Sequence, residues 1–334
     1  MLDARCIALW LTVAAGLGAA DGLRVVASTS DLGSIATSIL GERGTVVTLA
    51  SGADDPHHVD ARPSFIKALN RADALVLTGM ELEIGWLPPL VDNAANGRIQ
   101  PGASGYIDAA RFITPLGVPG EGVDRALGDV HAAGNPHYLL DPVNGVLVAR
   151  GLRDAFTRLA PDGAADFART CDAFSRAILD ALVGREIVER DGIDACLARC
   201  AAVAPADAEI VATAGSWLDR LRAVRGTRAV VDHDQWPYFA RRFGIEVIGA
   251  LEPKAGLGPT TAHLAAIIGR MKTERVPLLI AVPYFDRRLV ERVREETGAR
   301  VARLAHQVGA VAEAGDYLGM CAYNVAQIAP VRDP

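Results

Sequence analysis

The chain has no excess of basic residues, and this excludes one large class of function. Its 34 Lys and Arg are outnumbered by 40 Asp and Glu, which gives a net charge of −6 at pH 7. Because nucleic-acid binding depends on clustered Lys and Arg, we expect no nucleic-acid partner. Aromatic residues are also scarce, with 4 Trp and 6 Tyr. Few aromatic side chains are therefore available to line a pocket for a sugar or amino acid. Among the functions considered, a receptor for an organic ligand, with purely structural histidines, is the least favoured.

Long apolar runs are absent from the chain except near its beginning. Residues 6–20 are apolar, follow Arg5 and end in Ala19 and Ala20 before Asp21. A membrane-spanning helix needs about 20 apolar residues, so this run is too short to span. A basic start, an apolar core and small residues at the exit are typical of a secretory signal peptide. We therefore predict that residues 1–20 are a signal peptide and that the remainder is exported to the periplasm.

Cysteine is also sparse, and only Cys171, Cys196, Cys200 and Cys321 remain once residues 1–20 are removed. An exported compartment permits disulfides, so the sequence leaves open whether these are free or bonded structural cysteines. Cys196 and Cys200 would share one face of a helix. Two cysteines alone are a weak indication of a metal site, and the structural role is favoured.

Three separate histidine-bearing segments are the features that point to a function. They read Asp-Pro-His-His at 55–58, Asn-Pro-His-Tyr at 135–138 and Asp-His-Asp at 232–234. Proline fixes its own φ and extends the preceding residue, so each X-Pro-His predicts a rigid turn that aims one imidazole. Three neutral imidazoles favour Zn²⁺, whereas Mn²⁺ prefers more oxygen ligands. The sequence contains no HExxH pair, so a shared metal site requires that the fold bring the three segments together.

Alternating strands and helices predict an α/β fold built on mostly parallel sheets. We predict strands at 23–29, 45–49, 74–77, 228–231, 245–248, 278–282 and 301–304, with helices between them. The length predicts two lobes, 21–160 and 185–334. They would be joined by one long helix at 161–184, where apolar residues recur at helical spacing. Ligands bind at the carboxyl ends of such strands, and His57 and His233 both follow strands.

Two helix starts are predicted from local sequence. Asp141 can cap a helix that has Pro142 at its first position. A second helix is predicted from Glu83 to Val91, after the strand at 74–77.

The three segments, in this order, resemble the zinc/manganese-type solute-binding proteins of bacterial metal ABC transporters. The likeness also includes 59–64, 72–76, 83–87, 139–144 and 235–244, and it extends over nearly all of residues 23–329. It implies two α/β lobes joined by a long rigid helix, with one metal ion between them. It further implies delivery of this metal to a membrane permease. We expect the receptor to be a monomer. His57, His137 and His233 would be the ligands, and His58 a non-ligating neighbour.

The chain departs from that family at the fourth ligand. Members usually supply an Asp or Glu from the loop after the last strands, whereas residues 304–309 here contain no acid. His306, a water molecule, His131 or Glu252 are the alternatives. The sequence thus predicts Zn²⁺, with Mn²⁺ less favoured, and His306 as a possible fourth ligand.

A secreted zinc hydrolase is the alternative from a different class. A catalytic zinc has three protein ligands and an open position for water, which three histidines would provide. Such an enzyme also needs a general base, for which Asp234 and Glu252 are the candidates.

Overall fold

A parallel four-stranded sheet forms the first half of the structure, which is a computed structural model that describes residues 22–118, 131–202, 212–252 and 258–329. The strands lie in the order β2-β1-β3-β4. Their bounds are β1 Leu23–Ala27, β2 Gly44–Thr48, β3 Ala74–Leu77 and β4 Tyr106–Asp108, and the flanking helices are α1 Ser30–Leu40, α2 Pro63–Arg71 and α3 Leu87–Ala94. Ala74 and Val76 of β3 pack into the core beneath α1, whereas Leu75 and Leu77 pack against α2 and α3. Helices on both faces explain why this strand is apolar throughout.

A group of helices connects the two sheets along the chain. They are α4 Pro142–Leu159, α5 Ala164–Val183, α6 Arg185–Asp191, α7 Ile193–Ala202 and α8 Trp217–Arg220. As predicted, α4 begins at Pro142, and the Asp141 side chain caps it by accepting from the Val143 N–H. The predicted linking helix at 161–184 corresponds to α5, preceded by a separate 3₁₀ turn at Pro161–Gly163. The division of the chain into lobes stays a prediction.

The second sheet repeats the strand order of the first, β6-β5-β7-β8, and is again parallel. Its strands are β5 Arg228–Val231, β6 Glu246–Ala250, β7 Leu278–Ala281 and β8 Arg300–Arg303, and its helices are α9 Pro237–Phe243, α10 Thr261–Glu274, α11 Arg287–Thr297 and α12 Tyr317–Ile328. Two parallel sheets flanked by helices confirm the predicted fold class.

One apolar core runs through both halves. The larger buried cluster includes Val25 of β1, Leu152 of α4, Phe167 of α5 and Val230 of β5. Helix α5 packs against α1 and α4 and also against α7 and α8. Moving the two sheets far apart would expose this shared apolar surface to water. Such exposure costs about 25 cal/mol of free energy per Å². The packing therefore favours small relative motions.

The signal peptide cannot be compared with the structure, whereas the absence of later membrane-spanning helices can. The predicted signal peptide, residues 1–20, lies outside the described ranges. Within those ranges, no helix combines the length and the apolar character that crossing a membrane requires.

The predicted helix from Glu83 to Val91 was wrong at its start, since the helix begins at Leu87. Residues Gly79, Met80 and Glu81 adopt left-handed backbone conformations, with φ of 78°, 50° and 64°. The Glu83 carboxylate accepts hydrogen bonds from this loop instead of facing solvent on a helix. Helices α10 and α11 lie between the last three strands, where helices were predicted without bounds. Strand β4 and helix α12 were not predicted, because β4 has only three residues and α12 follows the last predicted strand.

Candidate metal centre

His57, His137 and His233 come together in the structure although they are far apart in the sequence. Their ring nitrogens lie within 4.8 Å of one another, and they form the one metal-competent group of His, Cys, Asp or Glu found among the described residues. His57 lies in the loop after β2, His137 in the turn before α4, and His233 two residues after the end of β5. The fold thus assembles the three residues that the sequence singled out.

The distances between the rings suit a tetrahedral metal. The Nε2 atoms of His57 and His137 are 3.3 Å apart. Two nitrogens bound at about 2.0–2.1 Å to a tetrahedral zinc lie about 3.3 Å apart. The His233 ring is 6.2 Å from the His57 ring and 6.0 Å from the His137 ring, between centroids, and perpendicular to both. The His57 and His137 nitrogens are therefore already at the spacing that a shared zinc ion needs.

The two X-Pro-His segments form matching turns. The Asp55 Oδ1 accepts from the His57 N–H at 3.0 Å, and the Asn135 Oδ1 accepts from the His137 N–H at 3.0 Å. In each turn the side chain before proline thus holds the backbone of the histidine two residues later. The Trp86 indole N–H donates to the Pro56 carbonyl at 3.0 Å and braces the first turn. Both predicted turns are present, and each is closed by a side-chain hydrogen bond.

The third histidine is anchored by a carboxylate that sequence reasoning did not single out. Asp232 is fully buried and accepts from the His233 N–H at 2.8 Å, the Trp236 indole N–H at 2.9 Å and the Val282 N–H at 2.6 Å. Burial raises the pKa of Asp232, and these hydrogen bonds oppose that rise. An acid directly after a buried strand was the available sequence signal. Asp232 joins the ends of β5 and β7 and so fixes the backbone that carries His233.

Glu83 joins two strand ends in the first half of the structure, as Asp232 does in the second. Its Oε1 accepts from the Ser28 hydroxyl at 2.6 Å and from the Thr78 N–H at 2.6 Å, and its Oε2 accepts from the Gly79 N–H at 3.1 Å. Burial raises the pKa of this carboxyl, and the hydrogen bonds oppose the rise. Glu83 therefore ties the ends of β1 and β3 together.

The electrostatic setting keeps His137 in the form that binds metal. Burial, together with the neighbouring His57 and His233, holds the pKa of His137 well below its usual value of 6.5. A ligand histidine must be neutral, since the proton and the metal compete for the same nitrogen. His137 is thus ready to bind without first losing a proton at neutral pH.

The candidates for a fourth ligand lie at different places around the three rings. His306 is not part of the group of three, and its Nε2 lies 3.4 Å from the Asp54 carbonyl oxygen. Burial lowers the pKa of His306 to about 4. The Glu252 Oε2 is 3.9 Å from the His233 Nδ1, and the His131 ring centroid is 5.4 Å from that of His57. Glu252 and His131 therefore adjoin the group as well, and the fourth ligand stays a prediction.

The four cysteines in the described residues, Cys171, Cys196, Cys200 and Cys321, are all buried free thiols. Burial raises the pKa of Cys200 to about 11. Burial thus opposes the thiolate form that metal binding needs. The interpretation as structural cysteines fits this burial.

A buried acid joins α1 to the loop after β8. The Asp31 Oδ1 accepts from the Val308 N–H at 2.7 Å. Burial raises the pKa of Asp31 to about 7, above its ordinary value of 3.8. Between about pH 4 and pH 7 the folded protein therefore holds a proton that the unfolded chain has released. Stability contributed by this group is full at low pH and falls as the pH rises through that window.

Replacing Asp31 with asparagine is expected to stabilise the protein at alkaline pH. The asparagine side chain would keep an oxygen for the Val308 N–H but carry no buried charge. We expect Asp31→Asn to raise the free energy of unfolding at pH 8 by about 1–4 kcal/mol, and to change it little near pH 4. Urea unfolding at both pH values measures this difference. A variant less stable than the wild type at pH 8 would contradict the assigned burial cost.

Known proteins similar to this chain include metal-uptake and metal-binding proteins. The family model for "ZnuA: Zinc-uptake complex component A periplasmic" matches residues 25–185 and 201–331. The manganese-binding lipoprotein MntA of Halalkalibacterium halodurans is 23% identical over 327 residues, which cover 94% of this chain and 92% of that protein. The high-affinity zinc uptake system protein ZnuA of Yersinia pestis is 26% identical over 298 residues, covering 84% of this chain and 81% of that protein.

A solved structure shares the fold. The Mn-bound periplasmic metal binding protein from Candidatus Liberibacter asiaticus superimposes with a TM-score of 0.66 at 18% identity, covering 91% of this chain and 97% of that one. At this level of identity the likeness concerns the fold alone.

Proposed function

This chain belongs to the family of ZnuA, the periplasmic component A of zinc-uptake complexes, and we propose that it captures one zinc ion with His57, His137 and His233. As a member of this family it is an extracytoplasmic metal-binding receptor that works with the permease of an ABC transporter. The 3.3 Å separation of the His57 and His137 Nε2 atoms is the observation that carries the choice of ligands.

Zinc is proposed as the cargo because of the donor atoms. The relatives named above include both a zinc uptake protein and a manganese-binding protein, so kinship leaves the metal open. Three imidazole nitrogens suit Zn²⁺, whereas Mn²⁺ favours carboxylate and water oxygens and binds a given nitrogen site more weakly. With His306, Glu252, His131 or a water molecule as fourth ligand, the donor set stays rich in nitrogen.

Capture and release follow from the way the ligands are held. His137, kept neutral by burial, and His57 present two nitrogens at the required spacing, and His233 completes the set from the other sheet. The shared apolar core limits opening, so the ion enters and leaves by small movements of the loops. Docking on the permease would distort these loops and release the ion for uptake.

Export and assembly complete the proposal. We propose that residues 1–20 direct the protein to the periplasm and that it acts there as a monomer, with domains as predicted from the sequence.

A receptor role needs no chemistry at the metal. The two carboxylates considered as a general base for a hydrolase are Asp234, whose side chain is exposed, and Glu252, which lies beside His233. The family is one of solute-binding receptors, and we therefore propose that the protein is not an enzyme.

The experiment that tests the cargo is a competition between metals. We expect the purified protein to bind one zinc ion per chain, and to bind Zn²⁺ at least about 100-fold more tightly than Mn²⁺. Elemental analysis gives the stoichiometry, and titration against a chelator of known affinity gives both dissociation constants. Equal or tighter binding of Mn²⁺ would refute zinc as the cargo, and no stoichiometric binding of either metal would refute the receptor role.

A further inference from the structure

The side chain of Asn135 links the second histidine turn to the third. Its Oδ1 accepts from the His137 N–H at 3.0 Å, and its Nδ2 donates to the Asp234 carbonyl at 2.7 Å. A backbone N–H can only donate and a carbonyl can only accept, so the two partners fix which end of the amide is which. Asn135 therefore uses both ends of its amide, one toward each ligand-bearing segment.

The backbone of Asn135 is held by the segment that follows His233 as well. The Tyr238 hydroxyl, on α9, donates to the Asn135 carbonyl at 2.9 Å and accepts from the Leu116 N–H at 2.8 Å. The Asn135 N–H in turn donates to the Leu116 carbonyl at 2.8 Å. The residue is thus a junction where the loop from 114 onward, the His137 turn and the start of α9 meet.

The first histidine turn shows why asparagine, and not aspartate, belongs at 135. Asp55 makes the same turn, with Oδ1 accepting from the His57 N–H. Its second oxygen lies 3.3 Å from the Nδ1 of His58, a potential donor. At position 135 the second atom faces a carbonyl, so a carboxylate there would set two oxygens against each other.

We propose that Asn135 is a positioning residue that fixes His137 relative to His233 and so sets the geometry of the metal site across the two sheets. This rests on the proposed function of His137 and His233 as ligands. It is distinct from the matching turn at Asp55, which contacts only one of the three ligand-bearing segments. A preset pair of ligands lowers the cost of ordering the site when zinc binds, and outer contacts of this kind change metal affinity by about 10- to 100-fold.

The decisive variants are Asn135→Asp and Asn135→Ser. Asn135→Asp keeps the acceptor for the His137 N–H and removes the donor to the Asp234 carbonyl. Serine is uncharged and too short to reach both partners. If charge alone mattered, the added carboxylate would attract Zn²⁺ and tighten binding. The proposal predicts the opposite sign, a zinc affinity about 10- to 100-fold weaker in both variants.

Asn93→Asp is the matched control. Asn93 is exposed on α3, where its side chain donates to the Pro89 carbonyl, and the substitution introduces the same charge away from the histidines. Zinc competition titration and the visible absorption of bound Co²⁺ are measured for all variants. We expect weaker zinc binding and an altered Co²⁺ spectrum in the two Asn135 variants, and wild-type values for Asn93→Asp. Thermal unfolding of the metal-free proteins separates weaker binding from loss of the fold.

The outcomes separate this inference from the proposed function. Zinc binding within about threefold of wild type, with an unchanged Co²⁺ spectrum, in either Asn135 variant would overturn the role of Asn135 and leave the receptor function standing. Failure of the wild-type protein itself to bind zinc would overturn the proposed function, and the inference with it.

Discussion

Replacing His57 with alanine is expected to abolish tight zinc binding. His57 supplies one of the two nitrogens that already lie at the spacing of a shared tetrahedral ion, 3.3 Å apart. Removing it leaves two imidazoles from the group of three. Structural zinc sites bind with about 10–16 kcal/mol spread over about four ligands, so losing one should weaken binding at least about 100-fold. Competition titration with a zinc chelator measures this loss directly.

His58→Ala is the matched control for this prediction. His58 is the next residue along, but its side chain is 72% exposed and its Nδ1 lies beside Asp55 and not among the other histidines. We expect His58→Ala to bind zinc within about threefold of the wild type, because removing an exposed side chain outside the group leaves the ligands in place. If His58→Ala lost zinc and His57→Ala kept it, the first turn would present the other histidine and the ligand assignment would be wrong.

Replacing Arg242 with alanine is expected to cause a large loss of stability. Arg242 and Asp141 form a bidentate ion pair with both contacts at 2.8 Å, and their side chains are only 6% and 9% exposed. The same guanidinium donates to the Cys200 carbonyl at 2.8 Å. Alanine would leave a buried carboxylate without its charged partner, and breaking such a pair costs about 3–5 kcal/mol.

A control variant separates the stability loss in Arg242→Ala from the effect of removing any positive charge on α9. Arg241 is the preceding residue of α9 and is exposed. Arg241→Ala should change the free energy of unfolding by no more than about 0.5 kcal/mol. Urea unfolding of both variants gives the comparison. Similar values for the two variants would show that the buried pair between α9 and the start of α4 contributes little to stability.

Much of the framework was predictable because local signals were strong. The strands Ala74–Leu77 and Arg228–Val231 were predicted at their observed bounds, since short apolar runs between turn residues are typical of central parallel strands. The start of α4 followed from Asp141 and Pro142. The kinship suggested by the three histidine segments is confirmed by the family match over most of the chain.

The parts that were missed depend on contacts between distant residues. Glu83 looked like the start of a helix, but its carboxylate bonds to Ser28 and to the loop after β3. The anchoring of His233 by Asp232, and the link from Asn135 to Asp234, join segments that only the folded chain brings together. The sequence could therefore name the three histidines, but not the groups that hold them.

A crystal structure of the zinc-bound protein, with the metal located by anomalous diffraction at the zinc edge, would identify the metal ligands themselves. We expect one zinc ion between the two sheets, bonded at about 2.0–2.1 Å to a ring nitrogen of each of His57, His137 and His233. The same map identifies the fourth ligand. A zinc ion bound elsewhere, or one that contacts fewer than three of these rings, would show that the three histidines are not the ligand set.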